Sequence, residues 1–209
     1  MKIGKVTAVI LCLLSVFLSC NKDDDGGGIP EPTQRDRTEQ QAADKDSLTD
    51  YLQNHYYNSS AFVSNPDPSL ADLVVSELPE DGVLPDPDNN TLLIDAVETH
   101  TTIFADTDYE YYILRLNQGD GAESPHFSDD VRVNYSGNTL DDEVFDSSVN
   151  PVEFDLYATG IIQIIPGWRK VLPKFNVAES FIENGDGTID YMNHGLGVMY
   201  LPSGLAYFA

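Results

Sequence analysis

Residues 131–137, VRVNYSG, set Val131, Val133 and Tyr135 on one face of an extended chain and Arg132 and Asn134 on the other. Side chains alternate along a strand, so this two-residue period predicts a strand buried on one side. PVEFDL, residues 151–156, repeats the pattern with Val152, Phe154 and Leu156. YEYYILRL, residues 109–116, is aromatic and β-branched and runs into the turn residues NQGDG, while TLLIDAVETHTTIFADTD before it and GLGVMYLP, residues 195–202, read as further extended segments. One short helical signal stands among them: Trp168, Val171, Leu172 and Phe175 fall at i, i+3, i+4 and i+7 just after Pro166-Gly167. Pro173 should end or kink that helix at Leu172 and turn Phe175 off its face. Several antiparallel strands around one brief helix define an α+β plan.

The preceding part of the chain has a different character. From Arg37 to Tyr57 the residues favour a helix, with Leu48, Tyr51, Leu52 and His55 along one face. Asn58, Ser59 and Ser60 end it, and SNPDPS and PEDGVLPDPDNN read as turns and extended pieces. Residues 36–108 are therefore expected to form a small helical and extended region, and residues 109–209 the main domain.

The first 19 residues carry an export pattern: Lys2 and Lys5, the apolar run VTAVILCLLSVFL, and Ser19 before Cys20. The run is short for a bilayer span. Of the two cysteines, Cys12 lies inside this leader, so the processed chain would keep one thiol and no internal disulfide. FLSC resembles a bacterial lipoprotein signal, with Cys20 acylated and the protein held to a membrane by its lipid alone. The competing reading is an ordinary secretory signal with an incidental cysteine. NKDDDGGG then resembles the signal that sends some Gram-negative lipoproteins to the outer face of the outer membrane; its other readings are a plain solvated linker and a periplasm-facing protein. Residues 20–35, rich in Gly, Pro and Asp, are expected to be a flexible tether. Removing the leader leaves 9 basic against 35 acidic residues, a net charge of −26 with histidine neutral. A surface so acidic repels phosphate backbones, so nucleic acid is excluded as a natural partner.

Covalent and metal chemistry find little support. His55, His100, His126 and His194 are scattered, no pair has i, i+4 spacing, and no cysteine accompanies them, so no metal is expected. No G-x-S-x-G, P-loop or G-x-G-x-x-G occurs. ENGDGTID, residues 183–190, has a calcium-loop flavour, but that register puts Ile182 first and Asn193 twelfth, where acids are needed. A hairpin turning on Asp186-Gly187 accounts for it better.

What remains is an order of motifs: VRVNYSG, VFDSS, PVEF, IIPGW and LPSGLAY. In this order and spacing, residues 109–209 resemble the FKBP-type peptidyl-prolyl cis-trans isomerases, whose segments read V-x-V-x-Y-x-G, V-F-D-S-S, P-x-x-F, V-I-P-G-W and I-P-x-x-L-A-Y. The resemblance implies a curved antiparallel sheet wrapped around a short helix, with a prolyl ring bound between them and no cofactor. Carried over motif by motif, the site would comprise Tyr135, Phe145, Asp146, Ile164, Ile165, Trp168 as floor, and Tyr207. Asp146 would accept a hydrogen bond from Tyr135; its alternative is a turn or capping acid before Ser147-Ser148.

Such a site suits its implied task. Rotation about X–Pro crosses a barrier of about 18–20 kcal/mol because amide resonance is lost, yet breaks no bond. A catalyst needs only to bind the twisted amide better than the planar one, which a dry aromatic basin with a positioned hydroxyl can do.

Three departures stand out. Val152 occupies a pocket-wall position that is commonly aromatic, and YATGIIQ and ENGDGTIDYMNHG lengthen two connections. The sequence stops at LAYFA, where the family continues into a covering loop and a last strand, so a chain ending at Ala209 is expected to fold poorly and act weakly. The leading expectation is an isomerase acting on proline-containing exported or surface proteins. The others are a binding or chaperone module of the same fold with little activity, and a structural surface lipoprotein or adhesin.

Overall fold

The computed structural model describes residues 35–65, 67–158 and 164–207. The expected leader, Cys20 and nearly all of the tether lie outside the described residues, as do Ile161 and Ile162 of the IIQIIPGW stretch.

Helix α1 spans Arg37–Asn54 and starts at Asp36, whose carboxylate accepts from the Thr38 and Glu39 amides at 2.9 and 3.1 Å. That cap satisfies two of the amides a helix start leaves open. The helix stops three residues short of the expected Tyr57, because His55–Tyr57 turns extended and becomes strand β1. His55 closes the helix from outside: its Nδ1–H donates to the Tyr51 carbonyl at 2.9 Å and its ring stacks on Tyr51 at 3.8 Å. Strand β1 pairs antiparallel with β2 (Val75–Glu77) and β3 (Thr91–Leu92). Two one-turn helices, α2 (Ser60–Val63) and α3 (Leu93–Ala96), complete this region.

The central sheet is antiparallel, ordered β10–β5–β4, from β4 (Glu98–Phe104), β5 (Thr107–Asn117) and β10 (Leu196–Tyr200). The β4–β5 hairpin straddles the boundary expected between residues 108 and 109. Strand β5 is covered on both faces. Its Tyr112 and Leu114 pack with Leu48, Leu52, Leu93 and Tyr200 on the α1 side. Its Tyr109, Tyr111 and Ile113 pack with Val171, Phe175 and Leu205 on the other. Burial on both sides explains why the four residues Tyr111–Leu114 are all apolar rather than alternating.

The second face is closed by α4 (Pro166–Val171), with Pro166 at its first turn, followed by a 3-10 turn, Leu172–Lys174. Pro173 is accommodated within that turn, since its missing amide and ring end the α-helical ladder as expected. Phe175 is extended yet buried in the same cluster as Val171, so leaving the helix did not take it out of the core.

Two hairpins stand beside this body. Strands β6 (Asp130–Asn138) and β7 (Val144–Asp155) pair antiparallel, with Val131, Val133 and Tyr135 half-buried and Arg132 and Asn134 exposed on the other side of β6. Strands β8 (Ser180–Glu183) and β9 (Ile189–Met192) form the other, turning through Gly187 at φ 88°. There Asp186 accepts from the Thr188 amide and hydroxyl at 3.0 and 2.7 Å, which holds its carboxyl below the usual range. The chain is thus α+β, with antiparallel sheets, one short helix under the β5 face and an N-terminal helix over the other.

Candidate functional site

Trp168 is placed by the first turn of α4. Its amide donates to the Ile165 carbonyl at 3.2 Å, Ile165 is the N-cap of the helix, and Ile164 and Ile165 are both half-buried. Gly167 lets this turn approach the LPSGL segment closely: a Cβ there would lie 3.1 Å from the Leu205 carbonyl oxygen and would overlap Leu201. A larger residue would push helix and segment apart.

Over the indole lie two rings from the β6–β7 hairpin. Tyr135 meets Trp168 edge-on at 5.6 Å and 71°, and Phe154 meets it at 5.4 Å; Tyr135 and Phe154 are 5.8 Å apart. All three separations are in the range of favourable aromatic contacts. Phe154 was expected only as a strand residue. Its two-residue spacing from Val152 in PVEF is the signal that places both on the Val131, Val133, Tyr135 side of the hairpin.

The Tyr135 hydroxyl donates to Oδ2 of Asp146 at 2.8 Å. A two-residue irregularity in β7 between the Val133 and Tyr135 pairings brings this about, because Tyr135 pairs with Ser148 rather than continuing the register from Val152. The Asp146 carboxylate is the main reason the Tyr135 phenol is pushed above its ordinary value, with desolvation and the nearby Tyr207 adding to it. At neutral pH Tyr135 therefore remains a donor and Asp146 remains satisfied.

Phe145 and Tyr207 form a second pair, edge-on at 5.5 Å and 83°. Phe145 lies over Gly137, where a Cβ would come within 2.7 Å of its Cζ, so the glycine of VRVNYSG makes room for the ring. With Phe145 54% and Tyr207 62% exposed, this side is an open cleft rather than a closed pocket. Val152 sits half-buried opposite Val133 and has no ring to offer.

The structure thus joins Tyr135 to Asp146 and to Trp168, and Phe145 to Tyr207, while Ile164 and Ile165 are half-buried in the chain just before the helix that carries Trp168. The arrangement is an apolar aromatic shelf edged by one phenol–carboxylate pair. It can hold a compact apolar ring and offer hydrogen-bonding groups to an amide beside it. No group of three or more His, Cys, Asp or Glu suited to a metal ion occurs among the described residues, and none of their helices is long and apolar enough to cross a membrane.

Comparisons with known proteins bear on the same stretch. Residues 121–199 match the family described as FKBP-type peptidyl-prolyl cis-trans isomerase. FK506-binding protein 1 of Eremothecium gossypii is 31% identical over 99 residues, 46% of this chain and 84% of that protein. FK506-binding protein 1 of Kluyveromyces lactis is 37% identical over 70 residues, 32% of this chain and 59% of that protein. The FKBP-type 22 kDa peptidyl-prolyl cis-trans isomerase of Escherichia coli is 36% identical over 90 residues, 42% of this chain and 41% of that protein. The chain therefore spans less than two thirds of the latter two relatives. No solved structure gives a significant match.

Proposed function

The chain belongs to the family of FKBP-type peptidyl-prolyl cis-trans isomerases, and from that membership we propose that its shelf catalyses rotation about X–Pro bonds in polypeptides. The observation that carries this reading is the Tyr135–Asp146 hydrogen bond set against Trp168. The proline ring rests on the indole between Tyr135 and Phe154, and the flanking amide lies toward Asp146 and Tyr207. As the amide twists it loses conjugation and polarity, so an apolar, partly dehydrated shelf favours the twisted state over the planar one. The Tyr207 hydroxyl holds a substrate carbonyl and keeps the rotating bond in place. No proton is transferred and no covalent bond changes, so the site needs neither nucleophile nor metal.

The substrates we assign are proline-containing exported or surface proteins. In support stand the leader pattern before Cys20, the acidic NKDDD that follows it, and the strongly acidic composition. On this reading Cys20 carries the lipid and the protein faces outward from the outer membrane. Protease treatment of intact cells checks the placement: digestion supports it, and resistance favours a periplasm-facing protein.

A second reading, a binding or chaperone module with little turnover, is favoured by the missing ring at Val152 and by the open Phe145–Tyr207 side. A protease-coupled isomerisation assay on wild type, Asp146→Ala and Trp168→Ala separates the two. Wild-type acceleration lost in both variants supports the isomerase; peptide binding without acceleration supports the module.

A further inference from the structure

The proposed site leaves α1 unexplained, yet this helix is bolted to the segment that carries Tyr207. One oxygen of Asp44, Oδ2, accepts from both the amide and the hydroxyl of Ser203, at 2.7 and 2.6 Å. Its other oxygen, Oδ1, accepts from Gln40 Nε2 at 2.6 Å, so the carboxylate is held from both sides. Ser203 opens the 3-10 turn Ser203–Leu205, whose first amide has no partner within the turn, and Asp44 supplies one from a different element.

That turn is also the hub of the site. Gly204 lies against the hydroxyl end of the Tyr109 ring, leaving no room for a side chain, and Arg37 of α1 donates to the Tyr109 hydroxyl at 3.3 Å. Leu205 is fully buried and its carbonyl lies against Gly167, one residue before Trp168. Three residues after Gly204 comes Tyr207, ring to ring with Phe145. A shift of the turn therefore reaches both the floor and the far side of the cleft.

The same helix touches the other half of the site. Ser47, Asp50 and Tyr51 face Leu140, Asp141 and Asp142 at the tip of the β6–β7 hairpin, the hairpin that presents Tyr135, Phe145 and Asp146. Burial first, and then the Asp142 carboxylate, push the Tyr51 phenol up to about 12, which keeps it a donor toward that tip.

We propose that Asp44 is a positioning residue of the proline-binding cleft, fixing the Ser203–Leu205 turn so that Tyr207 and the start of α4 face each other across it. The inference rests on the reading of the cleft as a prolyl site, and it makes α1 part of that site's framework rather than an appendage.

Four variants test it: Asp44→Ala, Asp44→Asn, Ser203→Ala, and Lys45→Ala as a control on the same helix. Lys45 pairs instead with Glu110 at 3.1 Å. Isomerisation kinetics are read with urea unfolding curves, under conditions where every variant is folded. Asp44→Ala should raise KM roughly tenfold, the usual scale for losing hydrogen bonds to a charged group. Asp44→Asn, whose amide oxygen still accepts from Ser203, should recover most of the loss, Ser203→Ala should fall between, and Lys45→Ala should alter stability alone. If Asp44→Ala lowers the unfolding midpoint but leaves KM and kcat of the folded protein unchanged, Asp44 is only structural and the proposal fails. Peptide affinity read from Trp168, the sole tryptophan, provides the same comparison without turnover. An inactive wild type would thus overturn the isomerase reading, while an Asp44→Ala protein that binds peptide as well as wild type would overturn this one.

Discussion

Tyr135 donates its phenolic hydrogen to Asp146 at 2.8 Å while its ring meets Trp168 edge-on, so one side chain links the carboxylate to the aromatic floor. The two functions of Tyr135 can be separated. Tyr135→Phe keeps the ring and loses the donor, and should lower kcat/KM by roughly three- to tenfold; Asp146→Ala, which also removes the charge, should lower it roughly ten- to a hundredfold. Steady-state isomerisation kinetics check both.

Val152 offers a gain rather than a loss. It lies half-buried opposite Val133, on the hairpin whose Phe154 packs on Trp168. Val152→Phe should tighten binding of proline peptides by roughly three- to tenfold, the scale of one added aromatic contact. Titration followed by Trp168 emission measures it, and an unchanged or weaker affinity would show that the missing ring at Val152 is not limiting.

Acid stability should depend on Glu98. Its carboxylate meets Arg115 through two hydrogen bonds, Oε1 to Nε at 2.7 Å and Oε2 to Nη2 at 2.8 Å, and Arg115 lies 4.7 Å over the Phe175 ring. The Arg115 guanidinium, assisted by His100, holds Glu98 down to about 2 from an ordinary 4.5. A carboxyl that releases its proton more readily when folded stabilises the fold fully above about pH 4.5 and loses that contribution as pH falls toward 2. Glu98→Gln should therefore lower stability above about pH 4.5 and flatten the acid limb of a stability–pH profile over that window, with the two proteins converging as pH falls toward 2.

Gly204→Ala should destabilise the protein by about 1–3 kcal/mol, because its methyl group would overlap the Tyr109 ring, which is buried in the core. Thermal unfolding measures the loss. The same change should raise KM if the Ser203–Leu205 turn is the framework of the cleft.

Much of this was legible in the sequence because the periods are local. The alternation in VRVNYSG marks β6, and the i, i+3, i+4 pattern after Pro166-Gly167 marks α4. The helix end at Asn54 was not legible: His55, Tyr56 and Tyr57 favour a helix by pattern, and only pairing with residues 75–77 and 91–92 makes them a strand. VFDSS could be matched as a motif but not recognised as part of a long strand, since Val144–Asp155 is mostly exposed and lacks a one-sided apolar pattern until Val152. Phe154 escaped as a member of the shelf because a strand period names a face, not its partner. The Asp44–Ser203 contact joins residues 159 positions apart, and no spacing rule encodes it.

The most direct test of the isomerase reading is exchange NMR on a proline peptide with a catalytic amount of the protein. Uncatalysed X–Pro exchange takes roughly tens to hundreds of seconds at 25 °C. The account predicts cis–trans exchange cross-peaks at sub-second mixing times, lost with Asp146→Ala. A wild-type protein that shifts the peptide resonances but produces no exchange peaks would contradict it.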